Sequence, residues 1–216
     1  MVCVLAPRAS PSVPYAIEIS GMETMTQSAR TTALMTADEF LLCDVPDGKA
    51  ELVRGELRVT PPAGGPHATV QSNLFARLAS YVNQHRLGRV FGDGTGYELI
   101  QLPRTVRVPD LSFVRADRLP AGGIGPGLFK WAPDLAVEVL SPSESASELQ
   151  EKLDDLQVGG ARLIWVADPR RGTVTVHDGD APVRTLRGDE SLDGGAVVPG
   201  FSCRIGDVFE GIAPDL

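Results

Sequence analysis

Two stretches decide how this chain folds: residues 104–114 (RTVRVPDLSFV) and 135–140 (LAVEVL). The first alternates apolar and polar positions on both sides of Pro109. A proline has no N–H for a β-ladder, so the run is kinked, bulged or unpaired there. The second is a short apolar strand interrupted by one acid. Val137 and Val139 share one face, and Glu138 shares the other with Ala136 and Leu140. A turn at 141–144 (SPSE) leads into a helix at about 147–158, whose apolar stripe is Leu149, Leu153 and Leu156. Two further strands, 163–167 and 173–177, read as a hairpin across 168–172 (DPRRG).

Upstream, Val70, Leu74, Leu78 and Val82 recur every four residues, widened by Phe75 and Tyr81. They predict a long helix over 67–85, with Gly88 as its stop. Residues 51–60 (ELVRGELRVT) give two strand pieces around Gly55, with Leu57 and Val59 on one face and Glu56 and Arg58 on the other. Strands are also expected at 90–91 and 97–102, on either side of the turn 92–96 (GDGTG), and near Val197 and Val198, ahead of a terminal segment at 205–212. Thr36-Ala-Asp-Glu39 has the spacing of a capping box for a short helix, and Pro46-Asp-Gly48 reads as a turn. This order predicts a mixed α/β domain of the α+β kind, a central mixed β-sheet flanked by helices. It covers 35–216. Residues 1–34 have no sustained period and read as a disordered tail or an over-extended start.

Composition bounds the function. The chain has 216 residues, 43% of them hydrophobic, enough for a core without disulfides or a structural metal. Its three cysteines lie far apart, which points to a reducing, cytoplasmic setting. No apolar run is long enough for a membrane span. The net charge of −8 argues against a protein that coats nucleic acid by charge alone. Segment counts move that acidity to the ends. Residues 189–216 carry 1 basic and 6 acidic side chains, whereas 54–118 carry 9 against 5.

Three residues break local rules. Asp110 follows Pro109 inside a β-run, as a strand-end acid beside a bulge or as a functional group. Glu138 is a charge among apolar neighbours, and so paired, metal-bound or on the open face of an edge strand. Lys152 lies roughly 60° from the middle of its helix stripe, by 100° per residue. Either it pairs with Glu148 on the surface or it reaches along the sheet. Taken together, two carboxylates on neighbouring strands suit a hard cation such as Mg²⁺, and an ammonium beside them can orient water and steady phosphate charge.

In order along the chain, residues 108–114 (VPDLSFV), 132–143 (APDLAVEVLSPS), 151–153 (EKL) and 163–169 (LIWVADP) resemble the Uma-type restriction endonucleases. These are bacterial members of the PD-(D/E)XK nuclease superfamily. The likeness spans about 35–212 and includes 52–57 (LVRGEL) and 199–202 (PGFS). It implies a restriction-endonuclease-like core and hydrolysis of nucleic-acid phosphodiesters, DNA in the first place, with Mg²⁺ or Mn²⁺. It implies that Asp110 and Glu138 are metal ligands and that Lys152, displaced onto a helix because Leu140 occupies the usual lysine position, is the catalytic lysine. Glu56 would be a further acid of the site. His67, at the entry to the long helix, either contacts a phosphate or caps the helix. A homodimer fits the need to cut two strands. On this reading, Lys152→Ala abolishes cleavage without unfolding the domain. Two rivals remain at this level: a nuclease-fold binding or regulatory module without chemistry, and a structural protein whose carboxylates are solvated edge residues.

Overall fold

The computed structural model describes residues 34–44 and 48–213. Residues 1–33 of the expected tail and the turn residues Pro46 and Asp47 lie outside them. Thr36 caps the first helix, α1 (Ala37–Leu41), through the reciprocal capping box with Glu39. The hairpin β1 (Lys49–Val53) and β2 (Glu56–Thr60) turns at Arg54 and Gly55, both at positive φ. The long helix α2 (Gly65–His85) follows. Then come β3 (Gly88–Phe91), β4 (Tyr97–Gln101), β5 (Arg104–Arg107), β6 (Leu111–Arg115) and β7 (Leu135–Val139). Helix α3 (Ala146–Val158) carries a second capping box, Ser145 with Glu148. The remainder is β8 (Leu163–Asp168), β9 (Thr173–Asp178), β10 (Arg184–Arg187), β11 (Ser191–Asp193), β12 (Ser202–Arg204) and the short α4 (Ile205–Val208).

The strands form a six-stranded sheet, β10-β9-β8-β7-β6-β3, a four-stranded sheet, β2-β1-β5-β4, and the pair β11-β12. In the larger sheet only β7 and β8 run parallel, with α3 as the crossover that a parallel pair requires. Helix α2 covers one face: Val70, Leu74, Leu78 and Val82 pack with Leu135, Val137, Val139 and Trp165. Helix α3 covers the other, where Leu153 and Leu156 meet Ala136, Ile164 and Val166. The predicted alternation of β7 is thus real, but both faces are buried. β7 is an interior strand, so an open edge cannot be the reason for Glu138.

Several expectations need correcting. The run 104–114 is two strands in two sheets: β5 belongs to the smaller and β6 to the larger, and Val108, Pro109 and Asp110 make the passage between them. Leu57 and Val59 alternate as expected, yet both stay largely exposed because β2 is an edge strand. Val197 and Val198 are buried in a turn tied to Gly194, with no strand. Helix α2 stops at Arg86, which takes the left-handed conformation at φ 56°, and Gly88 instead opens β3. There a Cβ would lie 2.0 Å from the Val114 carbonyl oxygen. Gly88→Ala is therefore expected to cost about 1–3 kcal/mol, read from a thermal melt, through forced displacement of β6. Among the described residues, no helix is long and apolar enough to cross a membrane.

Candidate active site

The passage between the sheets places Asp110 one step beyond the last β6–β7 pair, Leu111 with Val137, and so opposite Glu138. Cross-strand neighbours of this kind share a face at short range. Glu138 projects on the α3 side of β7, and Lys152 comes down from α3 to meet it. Lys152 Nζ donates to Glu138 Oε2 at 2.7 Å and lies 3.5 Å from Glu51 Oε1. The surface pair with Glu148 does not form, because Glu148 is occupied by the cap of α3 and Lys152 points inward, 7% exposed.

Asp110 is held from four directions. Its Oδ1 accepts Lys49 Nζ at 2.6 Å, and its Oδ2 accepts the Val139 N–H at 2.7 Å. His67 Nε2 lies 3.1 Å from Oδ2, and Gln71 donates to the Asp110 carbonyl. His67 therefore does not cap α2, whose N-cap Gly64 has no side-chain bond. Its imidazole fastens Asp110 to the helix instead.

Glu56 is not part of this cluster. It opens β2 opposite Val53, beside the hairpin turn, and is exposed. The acid that reaches the cluster is Glu51 on β1, two residues further from the turn on the same face. Its Oε1 accepts the Val108 N–H at 2.8 Å and its Oε2 accepts Arg107 Nη1 at 3.0 Å. Arg107, 3% exposed, also grips Asp155 of α3 through Nε and Nη2. Lys49 and Glu51 escaped the sequence reading. Their signal is the spacing of two, which sets both on one face of β1.

These side chains line one cleft of about 870 Å³, which also takes in Arg58, Ser141 and Glu144. Around the cluster Glu51, Asp110 and Glu138 face Lys49, Lys152 and the shared Arg107, and with Asp93, Glu144, Glu148 and Arg58 the cleft lining is net acidic. Burial alone would raise the Asp110 carboxyl. The His67 hydrogen bond and the Lys49 and Lys152 charges outweigh it and hold the group well below the carboxylate range. For Glu138, burial wins despite Lys152, helped by the Asp110 charge, and the carboxyl is pushed up to about 7. Burial opposes the Lys152 charge too, but Glu138, Glu51 and Asp110 together keep the ammonium protonated. Glu138 is thus the member that takes a proton in mild acid.

That has a consequence for the metal-free protein. A carboxyl raised from 4.5 to about 7 binds a proton in the folded chain that the unfolded chain has already released. Its contribution favours folding below the ordinary value and is lost as pH rises through 7. Asp110 has the opposite sign, its contribution being lost only in strong acid. In a chelator, thermal stability is expected to fall from about pH 5 to about pH 7.5, and Glu138→Gln to flatten that fall. A melting temperature that rises over the range in wild type would show the sign to be wrong.

Among the described residues, no three His, Cys, Asp or Glu side chains converge as a ready-made metal cage. A cage is not what Mg²⁺ requires: one or two carboxylates suffice, with water filling the other positions. Asp110 and Glu138 supply that set of hard oxygens. Glu138 Oε1 is buried without a hydrogen-bond partner, one of two such side-chain atoms among the described residues, Trp165 Nε1 being the other. An unpartnered buried carboxylate oxygen is costly unless a cation or water meets it. The residues therefore fit a divalent cation.

The fold and this carboxylate–lysine cluster define a nuclease-like α/β domain. Its relatives agree. The family model described as Uma2, putative restriction endonuclease, matches residues 37–206, and the chain belongs to that family. Among solved structures it is similar to "a putative nuclease belonging to DUF820" from Anabaena variabilis. That likeness has a TM-score of 0.71 at 26% identity and covers 81% of this chain and 97% of the other. No curated protein matches the chain.

Proposed function

We propose that this protein is a cytoplasmic, divalent-metal-dependent endonuclease that hydrolyses phosphodiester bonds in DNA. The observation that carries the proposal is the meeting of Asp110, Glu138 and Lys152 in one cleft, with Glu138 Oε1 buried and unpartnered. Asp110 and Glu138 would hold Mg²⁺ or Mn²⁺. Such an ion, when bound, lowers the pKa of its water and polarises a phosphoryl oxygen.

The chain's own residues do the rest. His67 and the Val139 N–H fix the Asp110 carboxylate in one orientation, so no ordering is left for the reaction to accomplish. Lys152, protonated and anchored on Glu138, presents a fixed positive charge beside the water and the phosphate, where it orients the one and offsets charge growing on the other. Glu51 holds Lys152 from its second side and is itself clamped by Arg107. His67 lines the same cleft, where a nucleic-acid backbone would lie, and is our candidate for a phosphate contact. Arg58 is the arginine of residues 54–118 that lines the cleft without being buried, and contacts of this kind to a phosphate backbone should weaken with salt. Cutting both strands calls for two sites, and we include a homodimer in the proposal.

The test is calorimetric titration with Mn²⁺. Wild type is expected to take up the ion, and Glu138→Gln to lose it. A binding module without chemistry need hold no metal, so equal heats in the two proteins would favour that reading.

A further inference from the structure

The sequence expectation left β1 with no basic group at the site, yet Lys49 makes the shortest contact to Asp110. Its ammonium sits 2.6 Å from Oδ1, on one of the two oxygens that would face a metal. An ammonium at that distance takes one of the two lone-pair sites on that oxygen, and its charge repels a second cation. Asp110 Oδ2 is already taken by the Val139 N–H and by His67, so it gives an incoming ion no free alternative. Lys49 also has somewhere to go. Asp93, in the 92–96 turn at the cleft wall, lies 3.4 Å from the same Nζ and is about half exposed. The lysine is held between two carboxylates, one buried and one open to solvent.

We propose that Lys49 is a built-in competitor for the divalent cation. It balances Asp110 in the metal-free protein and must shift off Oδ1, toward Asp93, before the ion is held. Lys49 thereby sets the ion affinity of the cleft and excludes weakly held cations. Lys152 cannot serve this way, because it bonds Glu138 Oε2 and leaves Oε1 free. The inference rests on the proposal that Asp110 and Glu138 hold a metal.

The test is Mn²⁺ affinity by calorimetry on the full chain, in wild type, Lys49→Met and Asp93→Asn. Lys49→Met is expected to bind about tenfold or more tightly, since a unit charge a few ångströms from the ion is removed. Asp93→Asn, which takes away the resting place, is expected to bind more weakly than wild type. If Lys49→Met does not fold, as judged by circular dichroism in a chelator, Lys49→Gln repeats the test with a polar group kept in place. Unchanged or weaker binding in the lysine variant overturns the inference while leaving the metal reading intact. No uptake by wild type or by either lysine variant overturns the metal reading itself. Uptake by the lysine variant alone supports the competitor role in its strongest form.

Discussion

Lys152→Met is expected to lower DNA cleavage by roughly 10²–10³-fold, with Mn²⁺ binding retained or tightened. Methionine keeps the length of the stem within the α3 packing while removing the charge and its hydrogen bond to Glu138. The two readouts should separate because Lys152 touches Glu138 through Oε2, whereas Oε1 remains for the cation. A structural role would instead change melting temperature and binding together with activity. Alanine is the poorer probe. Lys152 is buried, so truncation to alanine would add a cavity to the loss of the Glu138 hydrogen bond and confound the test of whether cleavage is abolished without unfolding the domain. Cleavage assays on plasmid and oligonucleotide substrates, paired with calorimetry, check the split.

Arg107→Met is expected to be the most destabilising single change in the cleft wall, by about 3–5 kcal/mol. The guanidinium ties β5 to α3 through Asp155 and to β1 through Glu51, with Glu151 3.7 Å away. Removing it leaves Asp155 buried without its bidentate partner and Glu51 with only Lys152 and the Val108 N–H to offset its burial among the described residues. Breaking a buried pair in this way costs far more than the pair's net worth. Urea unfolding of the metal-free protein measures the loss. Pairing the change with Asp155→Leu should recover part of it, because one of the orphaned charges is then gone. A loss below about 1 kcal/mol would mean that water reaches these acids.

How far the sequence carries can be judged from the same residues. Local signals were legible: the periodicity of α2 and α3, the Thr36–Glu39 capping box and the alternation of β7 all come from short-range rules and appear in the structure, whereas the Ser145–Glu148 box went unread. Pro109 marked a break, but nothing local says that the two halves of that run enter different sheets, since pairing is decided by strands far away in the chain. Glu56 and Glu51 show the same gap. Both sit on one face of a hairpin, and only the docking of β1 against β5 decides which of them is buried. Lys49 was passed over for that reason too, since its spacing from Glu51 marks a shared face but not that the face is buried. Lys152 was singled out at the margin of its helix stripe and given a role by resemblance, whereas its depth follows from α3 lying against both β7 and β5, which helical counting cannot supply.

The measurement that bears most directly on the central claim is scission of DNA by the purified full chain, with Mn²⁺ and with a chelator. The account predicts strand cleavage with the ion, none in the chelator, and none with the ion when Glu138 is replaced by Gln. A wild-type protein that binds Mn²⁺ and leaves single- and double-stranded DNA intact, or cleavage that persists in Glu138→Gln, would contradict it.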